Sequence, residues 1–221
     1  MCRPAVNCWR ACARRFLTNP RRTKAMNQRE TTEWCDIMVC GANRADLPRV
    51  LLVGDSITRG YFPHVEKALS GTFLCARLAT SACVCEPVFH EWLAMVLARD
   101  QFAVIHFNNG LHGWSFDEAA YGAALSKTYD ELARHAPGSR LLWAQSTPWR
   151  CKGNLTEFDE RNDRVCARNR IAAELARARG IPVNDLYGIV CEHPDYWCDD
   201  GIHFNDAGSA ALAASVAKHI Q

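Results

Sequence analysis

Apolar residues in this chain form short unbroken blocks, separated by longer stretches with helical spacing. Val50 to Val53 is wholly apolar, the pattern of a strand buried on both faces. After Gly60 the period changes. Tyr61, Val65 and Leu69 recur four apart with Glu66 and Lys67 between them, which predicts an amphipathic helix over 61–70. Thr72 to Leu78, Phe102 to Phe107 and Arg140 to Ala144 repeat the strand pattern, and Ile181-Pro182-Val183 adds a short one. Helical periodicity falls between these blocks: 87–98, 115–135, where Ser115 and Glu118 have capping-box spacing, 157–179, and an Ala-rich stretch from Asn205 to Ile220. In the helix over 157–179 the expected buried stripe is Val165, Ile171, Ala172, Leu175 and Ala176. Strand and helix alternate, so the expected class is α/β, with a parallel sheet of about five strands and right-handed crossovers. Residues 31–48 read as a lead-in packed on the domain edge, and residues 150–157 as a polar surface loop near the site.

Composition narrows this picture. A chain of 221 residues, 48% hydrophobic, suits one α/β domain plus an extension. No apolar run approaches the ~20 residues of a membrane span. The formal charge of +2 is unevenly spread. Arg3, Arg10, Arg14, Arg15, Arg21, Arg22, Lys24 and Arg29 lie in residues 1–29, which hold no acid, so the remainder is net acidic. That argues against nucleic acid as a partner. Residues 1–30 are expected to form a basic extension without fixed order, ahead of a domain over 31–221. In composition they resemble a transit-type segment without the apolar core of a secretory signal. Equally, Met26 and Met38 offer later starts. Twelve cysteines include no Cys-x-x-Cys, and Cys83/Cys85 lacks zinc-ribbon spacing. Free thiols in a reducing, cytoplasmic compartment are expected, with no metal site and no cofactor.

The candidate chemistry lies at two places. Gly54-Asp55-Ser56 ends the first strand and opens the helix that follows. A serine on that turn sits where open α/β sheets place their sites, beside the free N–H groups of a helix start. Taken alone, the tripeptide is as well explained by helix capping. Near the other end, Asp200 and His203 stand three apart, just before the last helix. A carboxylate beside an imidazole fixes its tautomer and steadies its charged form.

Together, Gly54-Asp55-Ser56-Ile57-Thr58-Arg59-Gly60 and Asp200-Gly201-Ile202-His203-Phe204-Asn205 resemble the SGNH (GDSL-type) hydrolases over roughly Leu47 to the C-terminus. The resemblance implies a flavodoxin-like three-layer α/β/α fold and a serine esterase acting through an acyl-enzyme. It makes Ser56 the nucleophile, His203 the base and Asp200, rather than Asp199, its orienting acid. The substrate it implies is a small-molecule or carbohydrate ester. A binding protein on the same fold and a metal-dependent phosphoesterase are the alternatives.

Two stretches leave the family pattern. Ala82 stands where the family carries a glycine whose N–H serves the oxyanion hole. After Phe107 comes Asn108-Asn109-Gly110-Leu111-His112, where the family has Gly-x-Asn-Asp. Anchoring on Gly110 puts His112 on the oxyanion asparagine; sliding the register puts Asn108 or Asn109 there. A neutral His112 with one N–H towards the oxyanion is the preferred expectation. Tyr61, Trp114, Trp149, Trp197 and Phe204 lie near strand ends and are candidates for an acyl or sugar platform.

Overall fold

The computed structural model describes residues 30–221. Apart from Glu30, the basic extension expected over residues 1–30 lies outside the described residues. Among the described residues eight strands form: β1 (Cys35–Val39), β2 (Arg49–Gly54), β3 (Leu74–Thr80), β4 (Val104–Phe107), β5 (Arg140–Ala144), β6 (Arg150–Cys151), β7 (Asn154–Phe158) and β8 (Val183–Asn184). The helices are α1 (Ser56–Ala68), α2 (Pro87–Arg99), α3 (Glu118–His135), α4 (Asn162–Ala178), α5 (Leu186–Val190) and α6 (Asp206–Ile220).

Six strands make one sheet in the order β1-β3-β2-β4-β5-β8. The expected parallel strands, β3-β2-β4-β5-β8, run together as a doubly wound sheet. Residues 35–39 of the lead-in add an antiparallel edge strand on β3, held across the ladder by the Asp36–Arg77 ion pair at 2.9 Å. The β2 run is buried on both faces because helices cover both. Val50 and Leu52 pack with α1 and α6; Leu51 and Val53 pack with α2 and α3. The result is the three-layer α/β/α fold.

Local chemistry moves several boundaries. The first helix begins at Ser56, five residues before its apolar stripe, because the Asp55 carboxylate accepts from Ile57 N at 2.9 Å and caps it. Asp117, not Ser115, caps α3 through Ala120 N. Residues 150–158 are a β6–β7 hairpin rather than a loop. On α4, Val165, Ala172 and Ala176 are buried as expected, while Ile171 and Leu175 are half-buried. Arg168 and Asn169 share that buried stripe.

Candidate active site

The site lies at the carboxyl edge of the parallel strands. Ser56 follows Gly54 and Asp55 where β2 passes into α1. A Cβ on Gly54 would come within 2.0 Å of Thr58 Oγ1, so only glycine lets the strand close onto the helix this tightly. Asp55 is buried and acts as a brace for this turn.

Ser56 meets the loop ahead of α6. His203 Nε2 lies 2.9 Å from Ser56 Oγ, and His203 Nδ1 lies 2.7 Å from Asp200 Oδ2. The second Asp200 oxygen accepts from Ile202 N at 2.8 Å and His203 N at 2.9 Å. Burial works to raise the Asp200 carboxyl, but the His203 hydrogen bond, the two backbone donors and the His203 charge outweigh it. The group is held below the usual carboxylate range. An ionised Asp200 only accepts, so His203 carries its proton on Nδ1 and turns a lone pair to the Ser56 hydroxyl. Such a line can draw the hydroxyl proton onto Nε2 as Ser56 attacks an electrophile.

The loop carrying Asp200 is fixed from behind. Gly201 has φ +74°, and a Cβ there would fall 2.2 Å from Arg150 O. Arg150 N in turn donates to Gly201 O at 2.8 Å. The β6–β7 hairpin is therefore the backing of the Asp200–His203 turn.

The other residues expected at the site divide sharply. Ala82 lies beyond β3 as expected, but its N–H donates to Thr80 Oγ1 at 2.9 Å. Its neighbours are also committed: Cys83 N donates to Glu86 Oε2 at 2.6 Å and Val84 N to Asn109 Oδ1 at 3.1 Å. Asn109 Nδ2 donates to Ala82 O at 3.0 Å. Asn108 Nδ2 donates to Ala144 O at 2.7 Å and Ser146 Oγ at 3.2 Å. Both asparagines are buried and tie strand ends together, as loop asparagines commonly do. The Ala82 N–H and both Asn108 amide hydrogens are committed to partners other than Ser56, and Asn109 spends one of its two amide hydrogens on Ala82 O.

His112 is placed differently. Its Nδ1 lies 2.9 Å from Glu30 Oε1, which also accepts from Gly113 N at 3.3 Å. Burial works to lower the imidazole pKa, but the Glu30 hydrogen bond and the charges of Asp55, Glu30 and Cys83 prevail and raise it above 6.5. Trp34 meets the His112 ring edge-on at 6.4 Å, and the Arg59 guanidinium stacks over Trp34 at 4.8 Å.

Arg168, absent from any sequence motif, holds the His112 loop. Its side chain is fully buried and donates to the carbonyls of Gly110 (3.1 Å), His112 (2.6 Å), Gly113 (2.9 Å) and Phe116 (3.2 Å). The ring of Trp114 lies 4.7 Å from it. The signal was an arginine at helical spacing on an apolar stripe, three after Val165 and four before Ala172. Asn169 does the same for the end of β5, donating to Ser146 O and accepting from Ser146 N at 2.8 Å each.

Of the expected aromatic platform, Tyr61, Trp149 and Trp197 are buried in the core. Trp114 is half-buried against Trp149 at 5.5 Å, and Phe204 packs on Trp197 at 4.3 Å. A cavity of about 10 Å³ lies beside the first turn of α1, lined by Ile57, Thr58, Leu111 and Thr147 among others. A groove of about 700 Å³ lies at the opposite edge of the sheet, by Arg49, Phe102 and Ser139 at the strand starts. Among the described residues no group of three or more His, Cys, Asp or Glu is placed to hold a metal ion, and no helix is long and apolar enough to cross a membrane. The cysteines among them are unbridged, and burial pushes the Cys75 thiol up to about 12.

A doubly wound three-layer sheet with a Ser–His–Asp line at its carboxyl edge defines a hydrolase of the SGNH type. The model of the GDSL-like lipase/acylhydrolase family matches residues 52–211, and the chain belongs to that family. No curated protein sequence matches the chain. Solved structures share its fold at low identity. The native aryl esterase of M. smegmatis is 16% identical with a TM-score of 0.65, over 78% of this chain and 98% of that one. An acetyl xylan esterase is 17% identical with a TM-score of 0.61, over 78% and 100%. A mutant acetyl-xylooligosaccharide esterase from Geobacillus is 16% identical with a TM-score of 0.62, over 78% and 94%.

Proposed function

We propose that the protein is a serine esterase that hydrolyses carboxylic esters of small acyl groups through an acyl-enzyme. The observation carrying this is the unbroken line from Ser56 Oγ to His203 at 2.9 Å and on to Asp200 at 2.7 Å. Ser56 attacks the ester carbonyl as His203 Nε2 takes its proton, and Asp200 steadies the imidazolium. His203 then protonates the departing alcohol. Water, deprotonated by the same nitrogen, attacks the acyl-enzyme and releases the acid and Ser56.

The oxyanion is met by the Ser56 N–H, which precedes the capped amide of Ile57 and has no intrahelical acceptor. His112 supplies the second donor. Its Nδ1–H is spent on Glu30, so a neutral ring would turn a lone pair, not a hydrogen, from Nε2. His112 therefore serves as the imidazolium, which replaces the neutral ring expected from sequence. The raised pKa supports this.

Acetylated carbohydrates are the first substrates to try, since some proteins of this fold are acetyl-xylan and acetyl-xylooligosaccharide esterases. The unbridged thiols suit a reducing compartment such as the cytoplasm. Stoichiometric labelling by an organophosphonate, read by intact mass and lost in Ser56→Ala, tests the mechanism. An unlabelled wild-type protein rejects it and favours the non-catalytic binding protein.

A further inference from the structure

Arg59 is exposed on α1, three residues after Ser56, a spacing that puts side-chain Cβ atoms roughly 5–6 Å apart on one helix face. Its guanidinium carbon lies over Trp34, 4.8 Å from the ring centroid. Among the described residues it makes no ion pair and no side-chain hydrogen bond, and residues 1–29 contain no acid that could neutralise it. The neighbouring carboxylates, Glu33 beside Trp34 included, are engaged. Glu30 holds His112 and Gly113 N, Asp55 is buried under the helix cap, and Asp200 holds His203 and two amides. The cation–π contact holds the guanidinium beside the ring while its N–H groups have no partner among the described residues, an arrangement that suits a carboxylate. Trp34 itself is anchored, its N–H donating to Ser81 Oγ at 2.9 Å and its carbonyl accepting from Thr80 Oγ1 at 2.9 Å. Glu30 and Trp34 both precede the segment matched by the family model, residues 52–211.

We infer that Arg59, stacked on Trp34 beside Ser56, is a specificity subsite for a carboxylate carried by the ester substrate. The inference rests on the esterase reading above and deepens it. An ester with a carboxylate a few bonds from the scissile carbonyl spans from Ser56 to Arg59, and the charge-assisted pair orients it for attack.

The test compares kcat/KM of wild type and Arg59→Gln on three aryl esters: neutral para-nitrophenyl acetate, mono-para-nitrophenyl succinate with the carboxylate on the acyl side, and para-acetoxybenzoate with it on the alcohol side. The substitution is expected to lower the ratio of anionic to neutral kcat/KM roughly tenfold or more for at least one anionic ester. The arm that falls says which side of the ester faces Arg59. Added salt should erode the same ratio in wild type. Unchanged ratios in both arms overturn the subsite and leave the esterase reading standing. If wild type turns over none of the esters, that reading fails instead. The subsite is then judged by calorimetry of monomethyl succinate on Ser56→Ala with and without Arg59→Gln. Weaker binding to the double variant upholds it, and equal binding overturns it.

Discussion

Glu30 and His112 are 82 positions apart, yet Glu30 Oε1 lies 2.9 Å from His112 Nδ1. This contact joins the start of the described chain to the loop after β4, and it favours the charged form of the ring. It makes His112 a donor at both nitrogens only while the ring is charged.

The activity should therefore have an alkaline limb that belongs to His112. Below its raised pKa the ring is charged and donates to the oxyanion; above it, that donor is lost. Glu30→Gln removes the carboxylate that raises the pKa, so the limb should move to lower pH on a neutral aryl ester. Stability follows the same sign. A histidine raised in the folded state contributes fully below its unfolded value and loses that contribution as pH rises through its folded value. The stability gap between wild type and Glu30→Gln should be larger near pH 6 than near pH 9, as read by urea unfolding. A limb that stays put would mean that His112 does not donate as a cation.

Ser56→Ala should abolish turnover by roughly 10³-fold or more while the melting temperature stays within about two degrees, because among the described residues the hydroxyl meets only His203. His203→Ala should behave alike. Calorimetric melting beside single-turnover kinetics separates loss of chemistry from loss of fold. Substantial residual turnover in Ser56→Ala would contradict the esterase mechanism.

His112→Ala should lower kcat by roughly 10²–10³ with little change in KM, since its hydrogen bond strengthens as charge develops. Asn108→Ala and Asn109→Ala should act chiefly on stability instead, because their amides hold Ala144, Ser146 and Ala82 rather than substrate. Steady-state kinetics on all three variants, alongside urea unfolding, reads the difference.

Arg168→Met would strand the carbonyls of Gly110, His112, Gly113 and Phe116. A cost of about 3–5 kcal/mol in urea unfolding is expected, as for breaking one side of a buried charged network. Arg168→Lys should recover only part of it, because an ammonium cannot fork across both pairs of carbonyls.

Gly201→Ala should be destabilising and nearly inactive together. The left-handed backbone costs about 1–2 kcal/mol for an alanine, and the new Cβ would press on Arg150 O, shifting the turn that aims His203. Labelling of Ser56 by an organophosphonate should slow in parallel with ester turnover.

Much of this protein is legible in the chain itself. Strands buried on both faces are dominated by apolar residues, so Val50–Val53 announces itself, and so does Val104–Phe107 despite the buried His106. A strand-to-helix turn with Gly54-Asp55-Ser56 and a turn with Asp200 and His203 are local patterns, set by residues within a few positions of each other. What the chain did not disclose depends on long-range partners. Nothing near Cys35 says that it pairs antiparallel to Thr80, because that register follows from the tertiary fit of the edge strand. Ala82, Asn108 and Asn109 looked available, but only the folded loops decide where an amide donates. Arg168 looked like a break in an apolar stripe until four carbonyls from a loop about fifty residues away came to surround it. Glu30 read as the last residue of a basic extension, and its hold on His112 exists only where β3, β4 and the lead-in converge. Sequence determined the class of fold and the residue types at its carboxyl edge, because those rest on local periodicity and turn chemistry. Tertiary structure alone decided which donors remain free and which charges meet, because a hydrogen bond is a matter of distance and direction between residues far apart in the chain.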